Sequence, residues 1–196
     1  MKASGAADVL VVGAGGAGLV AAAVAADCGA RVIQFEKTDR IGGCWLPGIG
    51  NAGSVSGAQT IIQFENGIFD DSPYRFYADC MSEPRVRAVC SPEVLGYYCR
   101  YAGVAVDWLD RLGAFGRRER RPKPGLFGEA WSVNRSYYLA PDFLTVVASF
   151  HRRRVERGDI LLMTGARVVS LVIKDGSVRG VIVVRRGAEL VYYGKA

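Results

Sequence analysis

The sequence predicts an α/β chain: a parallel sheet flanked by helices, with a small antiparallel meander added toward its end. Three observations carry that expectation. In "VLVVGAGGAGLVAAAVAADCGARVIQFEK" (9–37) a short apolar run, a glycine-rich turn, a small-residue helix and a second apolar run follow in order. Between 160 and 193 short β-branched runs are separated by Asp175-Gly176 and Arg186-Gly187. The length of 196 residues, half of them hydrophobic, suffices for one core.

The first stretch has a competing reading. Val9–Ala26 carries no charge, and its 18 residues are just enough to cross a bilayer. The small residues of "AAAVAA" also suit a signal-peptide cleavage region. Against both, Gly13, Gly15, Gly16 and Gly18 break the apolar run, only Lys2 is basic upstream, and Asp8 abuts the run. A β-α-β unit uses every feature instead. "DVLVV" (8–12) is a strand, "GAGGAG" (13–18) a Gly-x-Gly-x-x-Gly turn, and "LVAAAVAADC" a helix stopped by Gly29. "RVIQFE" (31–36) is the second strand and closes on Glu36, 18 positions after Gly18.

Each glycine has a physical task in that unit. Gly13 permits the tight turn, Gly15 lets the main chain approach a pyrophosphate, and Gly18 lets helix and strand pack closely, helped by Ala21, Ala22 and Ala25. Free N–H groups and the positive dipole end at the helix start, beside Gly16 and Ala17, attract phosphates. Glu36 can accept hydrogen bonds from ribose hydroxyls. The unit does not by itself separate FAD from NAD. The next segment, "EKTDRIGGCWLPGIGNAGSVSGAQT" (36–60), carries six glycines in 41–57, which lets backbone lie along a large flat ligand and favours FAD.

The order "GAGGAG", then "EK", then "R-x-GG" resembles the FAD-binding domain of the fumarate reductase and succinate dehydrogenase flavoproteins, with soluble fumarate reductases and 3-ketosteroid dehydrogenases as the most similar branches. The likeness continues in "GIFDDSPYRFYADCM" (67–81), "VDWLDRLGA" (106–114), "VNR" (133–135) and "KDGSVRGVIV" (174–183). It implies a Rossmann-like FAD-binding domain over 1–196. Gly15, Ala17 and Gly18 would line the pyrophosphate, and Glu36, with Lys37 beside it, the adenosine ribose. Gly42, Gly43, Cys44 and Trp45 would follow the pyrophosphate and ribityl chain. Gly48, Ile49, Gly50 and Asn51 would sit near the flavin ring, and Val168 would offer its backbone to the adenine. Membrane-bound members attach FAD through a histidine just after the double glycine. Cys44 stands there instead, so FAD is expected to be non-covalent and Cys44 a packed thiol.

The resemblance also implies that a substrate-capping domain and a last flavin-binding segment follow in complete members, and that this chain is the N-terminal portion. Most catalytic groups of those families lie in that later part, so no catalytic residue is assigned. The chemistry implied is hydride transfer between flavin and an activated C–C bond of an organic acid or a steroid-like enone. "WLPG" (45–48) leans toward the steroid branch and the basic loop "GRRERRPK" (116–123) toward acids. A non-catalytic FAD-binding module and an NAD-binding protein are the alternatives.

Further helices are expected from Ser72-Pro73 and Ser91-Pro92-Glu93, serine capping and proline opening the first turn. In the second, Val94, Leu95, Tyr98, Tyr101, Ala105, Trp108, Leu109 and Leu112 mark the apolar face. A helix over 142–157 ends at Gly158. Strands at 160–164, 167–173, 178–184 and 189–193 form the small sheet, with hairpins at the two X-Gly turns. Twenty-five basic against nineteen acidic residues give +6, which favours anionic ligands. Aromatics do not alternate with the arginines of 116–135, so no nucleic-acid partner is expected. Cys28, Cys44, Cys80, Cys90 and Cys99 form no CxxC pair, which argues against a disulfide framework or zinc site and for a reducing cytoplasm. His151, the only histidine, is expected on a solvated helix face, and its being alone excludes a histidine-rich metal site. Tyr137 and Tyr138 are candidates for a flavin-side acid or base, or for aromatic filling.

Overall fold

A computed structural model describes residues 3–46, 54–115, 121–124, 131–139 and 143–195. In chain order the elements begin with β1 (Gly5–Ala7), β2 (Val9–Val12), α1 (Gly16–Asp27) and β3 (Val32–Phe35). Then come β4 (Ser54–Ser56), α2 (Ile61–Glu65), α3 (Pro73–Ser82), α4 (Pro84–Val89), α5 (Pro92–Arg111) and β5 (Ser136–Tyr138). The rest are α6 (Phe143–Glu156), β6 (Ile160–Met163), β7 (Ala166–Lys174), β8 (Ser177–Arg185) and β9 (Ala188–Gly194). They form two compact units, one of residues 1–51 with 144–196 and the other of 52–143.

The first unit holds a parallel sheet ordered β2-β3-β6 and a four-stranded sheet ordered β1-β9-β8-β7. β3 is buried on both faces, and its alternation decides what each face meets. Val32 packs with Val11, Ala22, Ala26 and Ile160 on the α1 side. Ile33 and Phe35 pack with Val181, Val183 and Tyr192 of the second sheet. In α1 the buried residues are Leu19, Ala22, Ala23 and Ala26, one stripe at helical spacing. Ala21, expected to help that packing, is exposed. Beyond the Cys28 cap, Gly29 takes φ +85° and turns the chain.

The expected meander is present as β7-β8-β9, and its turn residues explain its hairpins. Asp175 and Gly176 have φ +51° and +72°, and Arg186 and Gly187 φ +50° and +77°, the left-handed pairs that two-residue hairpins require. One expected member sits elsewhere. β6 pairs in parallel with β3, Ile160 beside Val32, because α6 returns the chain for a parallel crossover. A strand absent from the expectation, β1, runs parallel to β9 and widens the second sheet.

In the second unit Phe76 and Cys80 of α3 pack on Leu95, Cys99 and Ala102 of α5. Ser72 caps α3 as expected, accepting from Arg75 N at 3.0 Å. Ser91 makes no side-chain cap on α5. The buried face of α5 is Leu95, Cys99, Ala102, Gly103, Val106 and Leu109; Val94, Tyr98, Tyr101 and Ala105 of the expected face are exposed. Small residues choose the face. A Cβ on Gly103 would fall 2.1 Å from the Ala58 carbonyl oxygen, so only glycine allows this approach.

Candidate functional site

The glycine-rich turn links the end of β2 to the start of α1. Gly13 has φ +98°, and its N–H donates to the Phe35 carbonyl at 2.7 Å. Gly15 is the N-cap of α1 in extended conformation, φ −74° and ψ −177°, which any residue adopts. It brings no side chain to cap the helix, and the first turn holds no acidic residue. The first amides therefore keep their donors and the dipole its positive end for an anion. Among the described residues, a Cβ on Gly15 would meet only the Gly43 Cα within 4 Å, at 3.8 Å. The space beside Gly15 is open, which fits the pyrophosphate of a dinucleotide. Gly18 is different: a Cβ there would fall 2.1 Å from the Gly13 carbonyl oxygen, so it serves helix-on-strand packing.

A second glycine wall faces the first. Gly42 N donates to the Ala14 carbonyl at 2.7 Å, and Gly15 and Gly42 pair as an isolated parallel bridge. Gly42 and Gly43 take φ +118° and +55° and lead into a short 3-10 turn, Gly43–Trp45. A Cβ on Gly43 would fall 2.9 Å from the Gly15 Cα, so the two backbones pass at contact. The Trp45 ring lies against Gly16, 2.5 Å from where a Cβ would be. Cys44, expected to be a packed thiol, is exposed, because the 3-10 turn points it outward.

Glu36 is buried, and its carboxylate faces the glycine turn. Oε2 accepts from Ala14 N at 2.8 Å, and Oε1 accepts from Thr38 N at 2.9 Å. The Thr38 hydroxyl lies 2.9 Å from the same Oε1. Burial alone would push the carboxyl up, but the amides of Thr38 and Ala14 and the Thr38 hydroxyl outweigh it and hold Glu36 below its ordinary range. Glu36 thus fastens the turn it was expected to accompany. Its main chain also carries β7: Ala166 N donates to Glu36 O and Gly165 N to Thr38 O, both at 2.8 Å. That puts Val168 two residues from the Glu36 segment. The β7-β8 ladder slips between Val168 and Ser170, an irregularity that interrupts regular pairing there. Lys37 and Ala17 are exposed. Gly48, Ile49, Gly50 and Asn51 lie outside the described residues, as do 116–120 of the basic loop.

Two further residues act on the turn. Gln34 Nε2 donates to the Gly13 carbonyl at 2.9 Å, and Gln34 Oε1 is 2.6 Å from His151 Nε2. A carbonyl only accepts, which fixes the Gln34 amide and places the proton on His151 Nε2. His151 is not solvated: it is 1% exposed, on the inner face of α6. Burial, then the charge of Arg154, holds its pKa below the usual histidine value. The signal for Gln34 was available as a polar residue inside a buried strand. His151 had none, since the arginines around it describe a wet helix face.

In the second unit Tyr137 fills space rather than facing open solvent. It is fully buried with its hydroxyl against Thr60 Oγ1, and burial pushes its pKa up. Tyr138 is exposed. The dominant polar feature is Arg135, 0% exposed, whose guanidinium donates to Asp71 at 2.6 and 3.0 Å and to Asp79 at 2.7 Å. No group of three or more metal-ligating side chains occurs among the described residues, and no helix among them is long and apolar enough to cross a membrane.

The glycine cradle agrees with what the chain is similar to. Residues 8–196 match the FAD binding domain family. "Fumarate reductase (cytochrome)" of Shewanella frigidimarina is 32% identical over 179 residues, covering 90% of this chain and 29% of that protein. A flavocytochrome c3 fumarate reductase in its open conformation superimposes with TM-score 0.77 at 26% identity, over all of this chain and 33% of that one. The 3-ketosteroid-Δ4-(5α)-dehydrogenase of Rhodococcus jostii RHA1, solved with 4-androstene-3,17-dione, shares the fold with TM-score 0.75 at 22% identity, over 99% of this chain and 45% of that one. This chain therefore spans about a third of the fumarate reductases it matches. It belongs to the FAD binding domain family and has fumarate reductases among its relatives.

Proposed function

We propose that this chain holds FAD non-covalently and forms the dinucleotide-binding part of an oxidoreductase that moves hydride between flavin and an activated C–C bond. The observation that carries the reading is the open space beside Gly15, at an uncapped, acid-free helix start walled by Gly42 and Gly43. Amides at Gly15, Gly16, Ala17 and Gly18 would bind the pyrophosphate, with Gly13 turning the chain toward it, and Gly42, Gly43, Cys44 and Trp45 would follow it toward the ring. An ionised carboxylate accepts about four hydrogen bonds, so Glu36 can take a ribose hydroxyl beside its bonds to Ala14 and Thr38, with Lys37 at the rim. Val168 would meet the adenine through its backbone. Gly48, Ile49, Gly50 and Asn51 complete the proposed contacts.

When bound, the flavin supplies the hydride chemistry; this chain's residues bind and orient it. Non-covalent binding is supported by the residue after the double glycine, Cys44 in place of histidine, and by the burial of His151, the only imidazole, against Gln34. The substrate we favour is an unsaturated organic acid, because the fumarate reductase likeness spans 90% of the chain; a steroid-like enone is the other outcome to assay. The five free cysteines support a reducing compartment, the cytoplasm.

The test is the visible spectrum of the purified chain, followed by acid precipitation. Yellow protein that releases its flavin to the supernatant agrees with the proposal. Flavin that stays with the pellet overturns non-covalent binding, and failure to take up added FAD overturns the binding role. The second reading is an FAD-holding module with no turnover by itself. Fumarate- and enone-dependent reoxidation of the reduced, FAD-loaded chain separates it from the first.

A further inference from the structure

We infer that Cys80 and Cys99 form a peroxide-driven disulfide site within residues 52–143, with Cys80 as the attacking sulfur and Cys99 as the resolving one. The two thiols come from α3 and α5, which pack together through Phe76, Leu95 and Ala102, and both are buried and free. Their side chains are hydrogen-bonded to each other. Access is unequal. Cys80 lines a largely apolar cavity of about 570 Å³, walled also by Phe76, Val86, Leu95, Tyr98 and Trp131, and Cys99 is not among its lining residues. A small neutral oxidant reaching this cavity therefore meets Cys80, and the exposed Cys90 that also lines it, before Cys99.

The electrostatics agree with that order. The hydrogen bond from Cys99 leads in lowering the Cys80 thiol pKa; burial opposes it, the Arg135 charge assists and Asp79 opposes. The same hydrogen bond, then burial, pushes the Cys99 thiol up, so Cys80 is the more acidic thiol of the two. With hydrogen peroxide, the Cys80 thiolate attacks one oxygen. The S–O bond forms, the O–O bond breaks, and the leaving hydroxide takes a proton and departs as water. Cys99 then gives up its proton and attacks the Cys80 sulfenic sulfur. The S–S bond forms, the S–O bond breaks, and the second water leaves. Two thiols lose two electrons to one peroxide. The product clips α3 to α5 across the 18 residues between Cys80 and Cys99, which restricts the unfolded chain and raises Tm.

The experiment treats the whole chain with one equivalent of hydrogen peroxide, counts thiols under denaturing conditions and maps non-reduced peptides. Cleavage at Arg85 and Arg87 separates Cys80 from Cys90 and Cys99, and cleavage after Glu93 separates Cys90, which also lines the cavity, from Cys99. The expected result is loss of two thiols, a Cys80–Cys99 peptide and recovery with dithiothreitol. Cys99→Ser should leave a sulfenic acid at Cys80 that dimedone labels, and Cys80→Ser should leave Cys99 unlabelled. The map of the unaltered chain needs no variant to fold. A link through Cys28, Cys44 or Cys90, or survival of all five thiols, overturns the site. Labelling of Cys99 in Cys80→Ser overturns the assignment of roles.

Discussion

The polar side chains buried in residues 1–51 and 144–196 differ from those buried in 52–143 in what they hold. In the first unit Glu36 holds the Ala14 amide, and Gln34, set by His151, holds the Gly13 carbonyl. Each bond ends on backbone of the glycine turn. In the second unit the central cluster runs from side chain to side chain, with backbone at its edges: Gln63 Nε2 also donates to the Asn134 carbonyl, and Ser72 N donates to Asp71. Arg135 spans Asp71 and Asp79, Gln63 donates to Asp71 at 2.7 Å, and the guanidinium stacks near the Phe76 and Trp131 rings. The first arrangement shapes a surface that a ligand can use. The second fastens the segments around α3 to β5. Losing a member of the first should change binding and stability together; losing a member of the second should change stability alone.

The largest expected effect is in the second unit. Arg135→Met strands two carboxylates, Asp71 fully buried, and removal of one partner of such a cluster costs about 3–5 kcal/mol. Urea unfolding measures it, and a loss below about 1 kcal/mol would mean that water reaches the cluster. Next is Gly15→Val. Its backbone is already extended and its Cβ has room, so the folded chain should lose no more than about 1 kcal/mol of stability while FAD retention is abolished. Gly18→Ala gives the contrast. Its Cβ collides with the Gly13 carbonyl, so overpacking should lower stability by about 1–3 kcal/mol. Equal flavin retention by Gly15→Val and the parent chain would remove the turn from the site.

Glu36→Gln separates the two regions more finely. The amide NH₂ must face either Ala14 N or Thr38 N, which leaves a buried donor unsatisfied at about 1–3 kcal/mol. Both the thermal midpoint and FAD affinity should fall, and a fall in the midpoint with unchanged affinity would make Glu36 purely a fastener of the turn.

How much of this was legible follows from where each residue's partners lie in the chain. The turn, α1 and β3 form one contiguous unit, so glycine spacing and apolar runs were enough to place Gly13, Gly15, Gly18 and Glu36. The face of α5 was misplaced because tyrosines were counted as core. The contact instead uses Cys99, Ala102 and Gly103, whose small size matters only once the Ala58 backbone is opposite. β6 looked like a neighbour of β7 because the two are adjacent in sequence, yet its pairing is with β3, more than a hundred residues earlier. His151 was hidden for the same reason: its partner, Gln34, is 117 positions away.

His151 also supplies the smallest effect and the sharpest comparison, because it touches the turn only through Gln34. Its folded pKa lies below the unfolded value of about 6.5, so the unfolded chain binds a proton first as pH falls. The stability carried by the neutral imidazole is complete above about pH 6.5 and is lost as pH falls toward the lowered folded value. Urea midpoints of the parent chain should therefore decline on acidification from that point, before the carboxylates titrate. His151→Gln keeps a donor toward Gln34 Oε1 but does not titrate, so its midpoints should stay flat over the same interval. Its FAD affinity should remain near that of the parent. Gln34→Leu, which leaves the Gly13 carbonyl without its donor, should bind FAD more weakly at every pH. A decline of equal size in His151→Gln would assign the acid sensitivity to other groups and leave His151 as packing alone.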